Sequence, residues 1–292
     1  MRMTCQSDVG RLRRVIVKHA REAFVDDAAI DRQWQNLNYH GRPDLDRAIA
    51  EYDRFAELLV SFGADVEFLP RNSAVGMDSL YPRDAAIATD RGMILCNMGK
   101  AARSTEPSAL TATLRTLNTP VLGAITGVGK LEGGDVTWLD RRTLAVGRGY
   151  RTNDEGIRQL RDLLGDAIDD LIVVPLPHWR GPTDVFHLMS MISPLARDLA
   201  VVYSPLLPVP FRELLLDRGY ELVEVPGDEF EAMGCNVLAV APRVCVMRTG
   251  CPLTRRRLEA AGVEVHEFEG DEICGRGAGG PTCLTRPILR DL

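Results

Sequence analysis

No two cysteines in this chain form a C-x-x-C pair, and no histidine stands beside a cysteine at the spacing of a zinc site. The seven cysteines, at positions 5, 96, 235, 245, 251, 274 and 283, are odd in number and scattered. That usage argues against a disulfide framework and against a metal centre, and it fits free thiols in a reducing cytoplasm. No cofactor is expected. Long apolar runs are missing as well: nothing approaches the roughly 20 residues that a membrane helix needs. The N-terminal stretch also lacks the apolar core and small-residue end of a signal peptide. Basic character is absent too, with a net charge of −6 and no basic tract. Neither nucleic acid nor a membrane is therefore an expected partner. A homodimer is left open.

What is present is a repeat. Its fullest form is two short apolar strands across a tight turn, a helix and a further strand, and it recurs five times at a spacing of roughly 45–60 residues. The first unit has a strand at 15–17, an amphipathic helix over 45–62 and a strand at 66–69. The second pairs 85–89 with 93–97, then places a helix near 107–117 and a strand at 121–125. The third has strands at 135–139, 143–147 and 171–175 with a helix near 153–164. The fourth runs through strands at 186–192 and 199–203, a helix at 211–218 and a strand at 221–225. The fifth has strands at 237–241, 244–248 and 263–268 around a helix at 254–261. Gly, Pro and Asp-Arg turns bound these runs. Such a repeat predicts one α/β domain over residues 1–292, a closed ring with strands inside and helices outside. The polar, irregular stretch 25–41 is expected to form a lid over one end.

The chemistry-bearing residues fall at equivalent places, near the turns that open units two, three and four and after unit five. They are Asp78 and Asp84 in Met77–Asp84, Glu132 and Asp135 in Leu131-Glu132-Gly133-Gly134-Asp135, His187, and Cys283. A five-fold ring brings these places together. Each has a plainer reading: an apolar-flanked histidine is usually a core histidine, and a lone cysteine a small core hydrophobe. Together, several carboxylates, a His and a Cys suit a planar cationic substrate. Carboxylates grip a guanidinium bidentately, and a thiolate supplies the nucleophile. Arg103 follows Asp84 by the same offset as Arg151 follows Glu132. Two equivalent arginines suit a substrate carboxylate at the pocket mouth, opposite the acids. Gly275, Gly277, Gly279 and Gly280 lead into Pro281-Thr282-Cys283, and the glycines are expected to supply positive φ or close approach.

Arg83-Asp84, Leu131–Asp135 and Gly279-Gly280-Pro281-Thr282-Cys283 resemble motifs of the guanidino-group modifying superfamily, whose fold is the pentein, a five-bladed α/β propeller of ββαβ units. The resemblance spans nearly the whole chain, and is nearest to dimethylarginine dimethylaminohydrolases and arginine deiminases. It implies that Cys283 attacks the guanidinium carbon and that His187 protonates the leaving amine and then activates water. It further implies that Asp84 and Glu132 bind guanidinium nitrogens, that Asp78 and Asp135 belong to the substrate site, and that Arg103 and Arg151 hold the amino-acid carboxylate.

Two departures bear on the substrate. Arginine deiminases and amidinotransferases carry an Asp two residues after the catalytic His. Here that residue is Met189, and His187-Leu188-Met189-Ser190 is closer to the His-Leu-Lys-Ser pattern of dimethylargininases. An apolar wall in place of an acid favours a substituted guanidine, with a ureido product such as citrulline and an amine. Ala278 stands where arginine deiminases place another carboxylate-binding arginine, with Arg276 as a candidate replacement. The rivals are an arginine deiminase releasing ammonia, an amidinotransferase and a non-catalytic pentein that only binds.

Overall fold

A three-stranded sheet cannot cover both of its faces alone, and this chain builds five of them. In the computed structural model, which describes residues 4–184 and 186–291, every sheet has the same plan. A middle strand pairs antiparallel with one neighbour and parallel with the other. Sheet two is Ala86–Thr89, Gly92–Leu95 and Val121–Ala124; sheet three is Val136–Trp138, Thr143–Arg148 and Asp170–Pro175. Sheet four is Ile192–Ala196, Leu199–Val202 and Glu221–Glu224; sheet five is Leu238–Ala241, Val244–Arg248 and Glu264–Phe268. Sheet one takes Leu12–Val17 and Asp65–Phe68 from the start of the chain and completes itself with Thr285–Arg290. The first unit therefore does own a third strand. It is the run after Cys283, which the sequence marks only as a short rigid segment.

Sheet five touches sheets four and one, sheet one touches sheet two, and the turns entering sheets two, three and four touch in succession. The ring closes. The inner strand of each sheet is buried along its length, while the outer parallel strands are partly exposed beneath the helices. Those helices follow their local signals. Asp44 caps Leu45–Ser61 by accepting from the Arg47 amide at 2.9 Å, and Gly63 ends it at a φ of 80°. Ala48, Tyr52, Phe55 and Leu59 recur on one face and are fully buried. Truncating Phe55 to Ala would cost about 3–5 kcal/mol. Among the described residues no helix is long and apolar enough to cross a membrane.

Two expectations need correction. Residues 186–192 do not form a strand: Leu188–Ser190 is a single 3₁₀ turn and the strand begins at Ile192. Side chains have taken the amides that a ladder would use. Ser190 Oγ accepts from the His187 N–H at 3.1 Å, and Asp135 Oδ1 accepts from the Leu188 N–H at 3.0 Å. Val185, which precedes this turn, and the termini of the expected 1–292 domain (1–3 and 292) lie outside the described residues. The second correction concerns 25–41, which is only partly irregular. Asp26 caps a helix, Asp27–Gln33, and Ile30, Leu37 and Tyr39 are buried.

Candidate active site

All five inner strands run the same way relative to the ring axis, so the residues just before them gather at one end. Sheets two, three, four and one contribute Asp84, Glu132, His187 and Cys283 there. Sheet five contributes Asn236, which the sequence reading missed. The signal was available, because Cys235-Asn236 opens unit five at the place where the other units carry their polar residue.

Asn236 is what holds the thiol. Its Nδ2 donates to Cys283 Sγ at 3.3 Å. Its Oδ1 accepts from the Thr282 amide at 3.0 Å and the Thr282 hydroxyl at 2.7 Å, fixing the amide's orientation. The glycines serve this packing through close approach. A Cβ on Gly280 would lie 2.5 Å from Asn236, and one on Gly279 would lie 2.6 Å from the Tyr81 ring. Positive φ in the segment falls on Ala278, at 56°, and on none of its glycines. Burial pushes the Cys283 thiol up, and Asp84 adds to that; Asn236, Thr282 and Arg83 pull it back. The other six cysteines are more deeply buried.

His187 Nε2 lies 2.8 Å from Glu132 Oε2. Burial alone would hold the imidazole neutral, but Asp84, Asp135 and Glu132 outweigh it and raise its pKa to about 9. Burial disfavours the Glu132 charge as well, yet His187 and Arg151 hold its carboxyl below the usual range. Glu132 also accepts from the Lys100 amide at 2.9 Å. It is fully buried behind His187 and lines neither of the two cavities that meet at Cys283, and from there its charge acts on the imidazole.

The arginines are not at a mouth facing the acids. Arg103 is buried against Asp84 and Glu106, and Arg151 Nη1 meets Glu132 Oε2 at 3.0 Å. The shared offset of 19 residues is the separation of two equivalent ion pairs, each arginine being bound to its own unit's acid. Asp78 pairs with Lys100 at 2.6 Å, and Lys100 Nζ also reaches the Leu37 carbonyl at 3.0 Å. Asp84 Oδ1 accepts from the Gly134 amide at 2.9 Å. Asp135, expected in the substrate site, points away from it. It accepts from the Thr152 hydroxyl at 2.7 Å and the Leu188 amide, and burial raises its carboxyl to about 6. Asp135 is the last residue of the 3₁₀ turn Gly133–Asp135. Arg276 pairs with Glu272 and is not among the residues lining either cavity at Cys283.

Two cavities meet at Cys283 and His187. One is polar, lined by Asp78, Asp84, Lys100, Arg103 and Arg151. The other is mainly apolar, with Met189, Trp179, Phe186, Phe230 and Met233 in its wall, and it is also lined by Asp184 and by the ion-paired Arg180 and Glu231. The 25–41 segment borders the apolar cavity. His40 lines the apolar cavity, its amide donates to the Arg276 carbonyl at 2.7 Å, and Asn38 Nδ2 reaches the Thr183 carbonyl at 3.3 Å. Donor atoms of Asp84, Glu132 and His187 lie within 4.8 Å of one another, a spacing a cation could use. The two carboxylates are already committed to Arg103 and Arg151, so the convergence reads as part of a guanidinium-bearing network.

Residues 21–290 match the model of the eukaryotic N,N dimethylarginine dimethylhydrolases. The chain belongs to that family. It is a guanidino-modifying hydrolase of the dimethylarginine dimethylaminohydrolase and arginine deiminase group, with the pentein fold. Protein YkgA of Bacillus subtilis is 24% identical over 98% of this chain and 95% of its own length. The arginine deiminase of Mycobacterium marinum is 32% identical over 55% of this chain, matched over only 47% of that enzyme. Among solved structures, a variant of the Pseudomonas aeruginosa dimethylarginine dimethylaminohydrolase, complexed with citrulline, superposes at a TM-score of 0.76. It is 21% identical, over 96% of this chain and all of that one. The N-terminal domain of a cyanobacterial arginine dihydrolase superposes at 0.79, with 18% identity over 95% of this chain and 98% of that one.

Proposed function

We propose that this protein hydrolyses an Nω-substituted arginine-like guanidine to a ureido compound such as citrulline plus an amine. The carrying observation is Met189, which places a thioether beside Cys283 and His187 in the wall of the apolar cavity. A substituent on the guanidine gains burial there, whereas bare arginine finds no acid at position 189. The amino-acid end of the substrate takes the polar cavity, where Arg103 and Arg151 suit a carboxylate and Asp78 an amine.

The substrate's own cation offsets what raises the Cys283 thiol, so thiolate forms on binding. The thiolate adds to the guanidinium carbon. As the C–N bond breaks, protonated His187 gives its proton to the departing amine, leaving a covalent thiouronium. His187, now neutral, takes a proton from water as the oxygen adds to that carbon. Collapse expels the thiolate and releases the ureido product. A pKa near 9 keeps His187 protonated at neutral pH, ready for the acid step.

The test is a product assay over arginine, monomethyl- and dimethylarginine, hydroxyarginine, agmatine and guanidinoacetate, following ureido product and amine. Methylated arginine should turn over faster than arginine, with all turnover lost in Cys283→Ser. The identity to arginine deiminases over half the chain favours one alternative, in which arginine is the better substrate and ammonia is released. That result would replace the substrate assignment. Amidine transfer to an added amine would instead favour an amidinotransferase.

A further inference from the structure

The polar cavity at Cys283 holds a cation that no sequence motif singles out. Lys100 lines it together with Asp78, Asp84, Arg103 and Arg151. The backbone sets its place. Gly99 lets the loop before Arg103 lie against the third unit, since a Cβ there would stand 2.6 Å from the Arg151 carbonyl oxygen. The Lys100 amide then donates to Glu132 Oε1 at 2.9 Å, and Arg151 Nη1 donates to Oε2 of the same carboxylate at 3.0 Å. One buried acid thus anchors both residues at the cavity wall.

The three cations differ in how many donors they have left. A guanidinium carries five N–H groups and an ammonium three. Arg103 commits four, to Asp84, the Tyr81 carbonyl and both oxygens of Glu106. Arg151 commits only Nη1, to Glu132, and its Nε and Nη2 meet no acceptor among the described residues. Lys100 Nζ donates to Asp78 Oδ2 at 2.6 Å and to the Leu37 carbonyl at 3.0 Å, which leaves one N–H. Asp78 likewise keeps an oxygen, because Oδ1 has no partner among the described residues. Neither Asp78 Oδ1 nor the free nitrogens of Arg151 are sealed from solvent. The cavity therefore offers an open carboxylate oxygen beside an open ammonium N–H, with the uncommitted side of Arg151 in the same wall. That is the complement of a small group carrying both charges.

We propose that Lys100 is a specificity residue: its remaining N–H joins Arg151 in taking the carboxylate of the substrate's amino-acid end, while Asp78 Oδ1 takes the ammonium. This rests on the proposal above that the amino-acid end occupies the polar cavity, and it puts Lys100 ahead of Arg103, whose donors hold Asp84 and Glu106. The experiment is calorimetric titration of the full chain with three ureido probes. They are citrulline, its decarboxylated form, which keeps only the ammonium, and its deaminated form, which keeps only the carboxylate. Citrulline should bind at least about tenfold more tightly than either partial form. Lys100→Met should weaken citrulline about tenfold, yet the decarboxylated form should bind as tightly or more so, because Asp78 loses a competing cation. Asp78→Asn should do the reverse, weakening the two ammonium-bearing probes and sparing the deaminated one. A lysine that only braced the fold would weaken all three probes alike, and that result would overturn the proposal. So would citrulline binding that Lys100→Met leaves unchanged. The unaltered protein gives a test that needs no variant: deaminated citrulline binding as tightly as citrulline would mean that Lys100 itself fills the ammonium's place. Turnover separates this from the hydrolase assignment. Guanidine hydrolysis without citrulline binding would sink the role of Lys100 alone, and the expected binding pattern without hydrolysis would sink the hydrolase assignment alone.

Discussion

The two ends of the ring axis are built from the same five strands and carry opposite charge. At the Cys283 end five buried carboxylates, Asp78, Asp84, Glu106, Glu132 and Asp135, face three permanent cations, Lys100, Arg103 and Arg151, with His187 as the fourth when protonated. Towards the other end Arg286 and Arg290 are buried, and Asp8 pairs with Arg83, which also reaches the Cys283 cavity. Burial and neighbouring arginines push Arg286 down to about 9 and Arg290 down to about 10. In a low-dielectric core, an excess of one sign is tolerated chiefly where the opposite charge arrives from outside. One scaffold thus buries carboxylates around the thiol at one end and, across a single ion pair, arginines towards the other.

The largest effect that would break this comparison is loss of the nucleophile. Cys283→Ser should lower turnover by at least about 10³-fold, as for other covalent catalysts, and leave the buried ion pairs at both ends untouched. Glu132→Gln comes next, because it strips Arg151 and His187 of a shared buried partner. It should destabilise the fold by about 3–5 kcal/mol in urea or thermal unfolding. The pH dependence carries the sign. The folded-state pKa of His187 is raised from 6.5 to about 9, so its contribution is fully present below pH 6.5 and is lost as pH rises through about 9. In Glu132→Gln that decline should shrink and move to lower pH. An unchanged pH profile would mean that Asp84 and Asp135 set the imidazole's charge without Glu132.

The repeat, the helix caps and most strands are legible in the sequence because each unit is a local pattern closed by Gly, Pro or Asn signals. The residues that meet at the axis are legible for the same reason, since each sits just before an inner strand. Most of what escaped depends on tertiary partners, near or far in the chain, that a local pattern does not show. Thr285–Arg290 pairs with Leu12–Val17, so its strand character belongs to residues nearly the whole chain apart. Leu188 loses its strand to Asp135, and Arg103 and Arg151 turn inward to their own unit's acids. Asn236 was visible by position and passed over by type, because an amide does not advertise chemistry as a thiol or an imidazole does. The second end of the axis rests on burial alone, and no motif marks it.

A smaller effect sharpens the account of what the acidic end accepts. Met189→Asp adds a carboxylate to the apolar wall beside Cys283, so arginine should improve relative to dimethylarginine. A shift in the ratio of their kcat/KM values of about 10–100-fold is expected. If arginine proves the better substrate of the unaltered protein, the same variant should change the ratio little, and the apolar cavity would have to serve something other than the leaving group.

The smallest expected change tests whether the thiol is tuned from unit five or only by the acids around it. Asn236→Ala removes the donor at 3.3 Å from Cys283 Sγ and frees the Thr282 hydroxyl from its acceptor. Burial and Asp84 would then act on the sulfur with less opposition, so its pKa should rise. Alkylation of Cys283 by iodoacetamide at pH 7 should slow by a few-fold, since about one hydrogen bond's worth of thiolate stabilisation is lost. The rate should recover at higher pH, where thiolate forms without help. The variant leaves every buried ion pair at both ends in place, so folding stability should move far less than in Glu132→Gln. A slower rate that persists at high pH would show that Asn236 aims the sulfur without changing its charge. An unchanged rate at every pH would leave the acidic end tuned by its carboxylates and arginines alone, and would make the fifth unit a bystander to the other four.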